Sequence, residues 1–281
     1  MKILITGNLG YLGANIGKTI KDHFENCYLV GLDTGLFLNS LTCNQRVADT
    51  YYDKQIFMDV RDVNIDLIKG FNIVISLAAV SNDPIGKEFE EATHSINFQS
   101  TINLADICKK SGVNKFIFAS SCSMYGSESP NAKTEQDPTK PLTAYAKTKI
   151  GVEKELKENF SSSNMSQIFL RFSTACGPSD RLRLDLVLND FVTSAYLNKK
   201  ILLLSDGSSW RPIIDVKDMC RAIDWAIHRK SSKKNNNLSI NVGSNQKNLT
   251  ILDLARNVSK VIKNTKVIFA KNAQKDKRSY K

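Results

Sequence analysis

Short apolar runs recur along the chain, and the longer stretches between them carry apolar residues at helical spacing. Residues 2–6, 27–32, 55–58, 72–77, 115–119 and 167–172 are rich in Ile, Leu, Val and Phe and have strand length. Residues 11–24, 88–111 and 143–160 have the three-to-four-residue period of helices. Strict alternation of the two predicts a parallel sheet with helices on both faces. After Phe172 the rhythm loosens: a loop at 177–179, a helical face formed by Leu184, Val187, Leu188 and Phe191, and a strand at 201–204. A Gly-Ser turn at 207–209, a helix near 216–228, a strand at 239–243, a helix at 251–262 and a last strand at 267–270 follow. No internal repeat and no linker interrupts the series.

The first strand runs straight into Gly7-Asn8-Leu9-Gly10-Tyr11-Leu12-Gly13 and then into a helix. Gly7 permits the tight turn, Gly10 lets backbone approach a pyrophosphate, and Gly13 lets the helix pack close to the strand. Asp33 ends the second strand, where a carboxylate accepts hydrogen bonds from ribose hydroxyls and repels a 2′-phosphate, which selects NAD over NADP. Its other reading is a capped turn at Leu32-Asp33-Thr34-Gly35. Asp59 and Val60 follow the third strand and could flank the adenine.

The fifth strand ends in Ser120-Ser121-Cys122-Ser123-Met124-Tyr125-Gly126, three hydroxyls, a thiol and a phenol. Ligands of open parallel sheets bind beyond the carboxyl ends of the strands, so this is either a reaction site or a polar turn. Tyr145 and Lys149 stand four residues apart, on one face of a helix. A neighbouring ammonium favours the phenolate of a tyrosine, and Ser121 would bond the same substrate hydroxyl.

Composition narrows the setting. At 281 residues the chain can bury a large core as one domain or as two that share a boundary. No apolar run approaches the ~20 residues needed to cross a bilayer, and the N-terminal strand meets its glycine loop too early for a signal peptide. A soluble cytoplasmic protein with no membrane partner is expected. The six cysteines form no C-x-x-C pair, which argues against a disulfide framework and a zinc site, and no metal is expected. From Arg229 onward 14 Lys and Arg face only Asp253 and Asp276, so essentially all of the +11 net charge lies there. That stretch could attract a polyanion or a diphosphate. It lacks interleaved aromatics and any recognition motif, so a solvated surface is favoured and no nucleic acid partner is expected.

Taken in order, Thr6-Gly7-x-x-Gly10-x-x-Gly13, Asp33, Asp59-Val60, Leu77-Ala78-Ala79, Asn97, Ser120-Ser121-x-x-x-Tyr125-Gly126, Tyr145-x-x-x-Lys149 and Leu170-Arg171-Phe172 resemble the extended short-chain dehydrogenase/reductase family. The closest resemblance is to its NAD-dependent nucleotide-sugar epimerase/dehydratase branch, which includes UDP-galactose 4-epimerase. The resemblance implies a Rossmann doubly wound parallel sheet with a smaller C-terminal substrate-binding α/β lobe. It implies an NAD-binding domain at 1–172, with 213–242 packing back onto it, and a nucleotide-sugar lobe at 173–212 and 243–281. It further implies Ser121 as the catalytic hydroxyl, Tyr145 as the base and Lys149 as its partner on the nicotinamide ribose. Gly7, Gly10, Tyr11, Leu12, Gly13, Asp33, Asp59, Val60, Leu77, Ala78, Ala79, Asn97 and Ser120 would line the NAD site, Asn97 also supporting the active-site helix.

On the substrate side, Gly207 to Asp218 resembles a family segment whose arginine, here Arg211, binds the diphosphate, and Asp276 and Tyr280 match a tail motif that encloses the nucleotide. Arg181 and Arg183 could reach the same anion or begin a solvated helix. Ser81, Ser123 and Thr174 complete the expected substrate contacts; Thr174 stands where relatives often have Asn, and Ser81-Asn82-Asp83-Pro84 also reads as a proline turn. Dehydratases of the family carry Asp-Glu directly after the catalytic hydroxyl, where this chain has Cys122 and Ser123, which favours epimerisation, at C4, over loss of water. A nucleotide-sugar dehydrogenase or reductase and a non-catalytic NAD-binding scaffold are the alternatives. The family's dimers suggest a homodimer joined through 88–111 and 143–160.

Overall fold

The computed structural model describes residues 1–40, 42, 51–126, 131–160, 164–230 and 236–281. Strands β1 (Lys2–Thr6), β2 (Tyr28–Asp33), β3 (Lys54–Phe57), β4 (Ile73–Ser76), β5 (Lys115–Ser121), β6 (Ser166–Phe172) and β10 (Asn237–Val242) form one sheet. Its order is β10-β6-β5-β4-β1-β2-β3 and every pairing is parallel. The order reverses between β1 and β4, which opens a crevice above their carboxyl ends.

Alternate strand residues feed two cores, as the period of a strand requires. Leu4, Val30, Val74, Phe116 and Phe169 face α5 (Ser100–Lys110) and α6 (Ala144–Asn159), which contribute Leu104, Ala105, Val152 and Leu156. Ile3, Ile5, Ile75, Ile117 and Ile168 face α1 (Gly13–His23) and α8 (Val216–His228), through Ile16, Ile20, Met219 and Ile223. Burial on both faces explains why these strands are nearly continuous apolar runs rather than alternating ones.

After Phe172 the chain builds a second lobe. Strand β9 (Trp210–Asp215) lies between β7 (Thr174–Cys176) and β11 (Asn248–Thr250), while β8 (Lys200–Ser205) pairs in parallel with β12 (Lys266–Gln274). Helices α7 (Val187–Asn198) and α9 (Ile251–Val261) cover them through Phe191, Ala195, Leu254 and Val258. Ile214 near the end of β9, together with α8 and β10, packs back against the large sheet.

Three elements differ from the sequence expectation. Helix α3 (Asp83–Glu88) begins where a proline turn was an option: Asn82 Oδ1 accepts from Ile85 N at 3.0 Å, and Pro84 lies in the first turn, where a missing N–H costs nothing. The helix expected over 88–111 is broken into α4 (Glu90–His94), a π-helical stretch at Ser95–Gln99 and α5. The last strand extends to Gln274, which pairs with Ser205 of β8 after a shift of register beyond Phe269. A short helix α2 (Ile65–Ile68) lies between β3 and β4.

Candidate active site

At the crevice, Gly7 adopts φ +75° and its N–H donates to Leu32 O at 2.8 Å, turning the chain over the end of β2. A Cβ on Gly7 would lie 2.7 Å from Ala78 N, so the loop is pressed against the strand end carrying Leu77, Ala78 and Ala79. A Cβ on Gly13 would lie 2.4 Å from Asn8 Cα, while at Gly10 it would meet only Gly7 O, at 3.2 Å. The loop is therefore closed at both ends and open in the middle. Leu12 begins α1 without a side-chain cap, and among the described residues the N–H groups of Tyr11 and Leu12 have no protein acceptor. Uncapped N–H groups at a helix start suit an anion.

Asp33 stands beside this loop, accepting from Leu9 N at 3.2 Å and Gly35 N at 2.9 Å. Asn8, fully buried, exchanges amide hydrogen bonds with Gln55 of β3 at 2.7 and 3.3 Å and fills the space above Gly31. Sequence reading did not single out Asn8, Gln55 or Gly31; the signal was a polar residue inside a glycine loop. Asp59 caps a turn and holds Arg61 in a two-pronged pair, at 3.0 and 2.7 Å, and the Val60 side chain is core. Tyr11 points to the second lobe instead, donating to Gly177 O at 2.8 Å while its carbonyl accepts from Ser179 Oγ at 2.7 Å.

The hydroxyl cluster and the helix bearing Tyr145 and Lys149 meet across the crevice. Thr143 caps α6 by accepting from Ala146 N, which starts the helix one residue before Tyr145. Ser121 Oγ donates to Ser123 Oγ at 2.9 Å and is near enough to the Tyr145 phenol to favour its ionised form. Burial pushes that phenol up to about 12, against the opposing pull of Arg183 and Ser121; Asp83 and Tyr280 raise it further. Lys149 Nζ lies 4.5 Å from the Phe118 ring centroid and 5.5 Å from that of Tyr145. Burial pushes its ammonium down to about 7. In the protein without NAD, burial therefore outweighs the groups that favour the Tyr145 phenolate.

Two expected cofactor contacts face elsewhere. Ser120 alternates with Ser121 on β5, so its hydroxyl points below the sheet and donates to Glu153 Oε1 at 2.5 Å. Asn97 lies in the π-helical stretch, 1 % exposed, and its carboxamide bonds Val80 N and O at 2.7 and 2.9 Å and Thr148 Oγ1 at 3.4 Å. It ties α6 to the loop after β4.

The expected substrate residues form the rim. Arg183 donates to Ser81 Oγ at 2.8 Å and holds Asp185 at 3.1 and 2.6 Å; Asn82 also donates to Asp185. Arg211 is taken up by Asp276, at 2.9 Å, and by the carbonyls of Trp210 and Arg278, so both expected nucleotide contacts engage each other. Arg278 pairs with Asp276 and reaches Asp83 at 2.6 Å, linking the tail to α3. Thr174 is near enough to the Tyr280 phenol to favour its ionised form, although burial pushes that phenol up. Arg181 stacks on Phe37, 4.6 Å from its ring, and takes no part in this rim.

An open glycine cradle, an uncapped helix start, the Asp33 carboxylate beside them and a buried amine with no carboxylate partner among the described residues fit a dinucleotide. A UDP-glucose 4-epimerase of Corynebacterium glutamicum is 25% identical over 280 residues, 92% of this chain and 80% of that protein. Among solved structures, UDP-glucose 4-epimerase of Thermotoga maritima with UDP-glucose superposes with TM-score 0.85 at 19% identity, covering 100% of this chain and 89% of that one. TunA, an NAD dependent NDP-hexosamine 5,6-dehydratase, gives 0.85 at 19% identity, covering 100% of this chain and 86% of the other. These structures share the fold. Residues 3–243 match the model of the NAD dependent epimerase/dehydratase family, and the chain, an extended short-chain dehydrogenase/reductase with NAD as its cofactor, belongs to that family.

Proposed function

We propose that this protein is a nucleotide-sugar epimerase in which a sugar hydroxyl, most simply that on C4, is oxidised and the resulting ketone is re-reduced from the other face. The observation that carries this reading is the grouping of the Tyr145 phenol with Lys149, whose Nζ lies 5.5 Å from its ring, and with the Ser121 hydroxyl, which favours its ionised form. When bound, NAD supplies the hydride acceptor and a positive charge near the phenol. Tyr145 Oη takes the hydroxyl proton, Ser121 Oγ holds the same oxygen, and the proton returns along this path in the reverse half-reaction. Lys149 Nζ orients the cofactor ribose and favours the phenolate.

The two positions directly after Ser121 carry no carboxylate, which favours epimerisation over dehydration. Cys122, at the first position after the catalytic serine, turns its thiol to Arg171 O at 3.1 Å, and burial pushes it up to about 12. Ser123, at the second, bonds Ser121 and carries no acid. The rim carboxylates Asp83, Asp185 and Asp276 are each held by an arginine. The Arg183, Arg211 and Arg278 guanidiniums are the groups suited to a diphosphate, with their carboxylates exchanging for it. Helices α5 and α6 offer the surface for a homodimer.

The test is incubation of the purified protein with NAD and UDP-, dTDP-, GDP- and CDP-sugars in D2O, followed by NMR. Inversion without deuterium uptake supports the reading. Deuterium at a carbon adjacent to the ketone, or loss of water, would replace it with enolisation or dehydration. Tyr145→Phe should lower turnover by about 10³-fold with NAD affinity retained.

A further inference from the structure

Helix α6 carries a third residue on the face of Tyr145 and Lys149. Glu153 continues the four-residue spacing two turns below Tyr145 and is fully buried. Its carboxylate gathers one group from each of three strands. Ser120 Oγ of β5 donates at 2.5 Å, Ser239 Oγ of β10 at 2.9 Å, and Arg171 of β6 at 3.0, 3.2 and 2.8 Å. Lys157 of its own helix lies at 3.4 Å.

Arg171 continues outward. Its Nη1 donates to Tyr125 Oη at 2.8 Å, and Tyr125 donates to Asn241 Oδ1 at 2.7 Å. Ser120 and Tyr125 bracket the segment that bears Ser121, so one buried carboxylate is connected to both ends of that segment and to the helix bearing Tyr145.

We propose that Glu153, clamped by Arg171 and Ser120, is a positioning residue that sets the Tyr145 phenol and Lys149 ammonium against Ser121. It touches neither substrate nor cofactor. The ion pair is a costly way to stabilise a core, since apolar residues of similar volume commonly replace such pairs without loss. What it adds is direction: a two-pronged guanidinium bond fixes the rotation and height of α6 against β5 and β6, which apolar contact does not. The proposal rests on Tyr145 acting as the base.

The test is the ultraviolet titration of Tyr145 in the NAD-loaded protein, read as the difference from Tyr145→Phe, in the wild type and in Glu153→Leu/Arg171→Met. The wild type should show one phenol titrating below the ordinary ~10 that is missing in Tyr145→Phe. In the double variant its midpoint should rise by about one unit or more, with melting temperature no lower and NAD affinity within about threefold. An unchanged midpoint in a folded double variant overturns the proposal. Ser120→Ala removes a single donor and covers the case in which the double variant does not fold; its midpoint should move in the same direction by less, and an unmoved one overturns the proposal equally. If the wild type has no such phenol, the assignment of Tyr145 as base falls first and the positioning role falls with it, a result separable from a normal Tyr145 that ignores Glu153.

Discussion

Replacing Lys149 with Met should stabilise the cofactor-free protein while disabling it. The ammonium is 2 % exposed, its closest aromatic contact is Phe118, and burial lowers it from the usual 10.5 to about 7. Between those values the unfolded chain holds a proton that the folded chain has released, so stability rises with pH across that window. Relative to a neutral side chain of similar length, the lysine is therefore most destabilising below pH ~7 and harmless above ~10.5. A shift of this size corresponds to on the order of 5 kcal/mol, and relaxation with water entry should leave about 2–3 kcal/mol. Urea unfolding followed by circular dichroism at pH 6, 7, 8 and 9 measures it. The variant's gain should be largest at pH 6 and shrink steadily by pH 9, with NAD affinity reduced. A gain independent of pH, or none at pH 6, would refute the reasoning, because it would mean that Lys149 is not held in an environment hostile to its charge.

Gly13→Ala places a methyl 2.4–2.6 Å from the Asn8 backbone, which cannot yield without opening the glycine loop; a loss of about 3 kcal/mol of stability and of most NAD affinity is expected by thermal shift and calorimetry. Asp33→Ala removes the acceptor that also holds Leu9 and Gly35, and should weaken NAD by about tenfold while narrowing its preference over NADP. Arg278→Ala severs the tail from Asp83; stability should change by less than about 1 kcal/mol, yet trypsin cleavage after Lys271 should quicken several-fold by mass spectrometry. Light scattering should give twice the 31.4 kDa chain mass if α5 and α6 form the homodimer surface.

The large sheet was legible because its strands are buried on both faces and so spell themselves as continuous apolar runs. The glycine loop was legible because positive φ and close approach each demand glycine, and Tyr145 with Lys149 because four residues make one helical turn. Short polar strands such as β11 escaped notice, since three residues cannot show a period. Side-chain direction was the harder matter. Ser120 was grouped with the cofactor although a strand sends it opposite to Ser121. Arg211 and Asp276 were both assigned to the nucleotide, and no sequence pattern states that two residues 65 apart pair with each other. Glu153 and Arg171 could have been found from two charges placed where only apolar residues were expected, one on a helix face and one inside a strand. That signal marks a buried pair without naming its members.

The order in which β6 and β10 enter the large sheet also constrains how the chain comes off the ribosome. Residues 173–236 must be synthesised before β10 can pair with β6, and β10 brings Ser239 and Asn241, which hold Glu153 and Tyr125. The cofactor cradle near the N-terminus is complete in sequence long before the edge that fixes the Tyr145 helix exists. Nascent chains halted between β6 and β10 should therefore retain a crevice able to meet NAD while lacking a fixed Tyr145, so that competence for chemistry arrives late and all at once during translation.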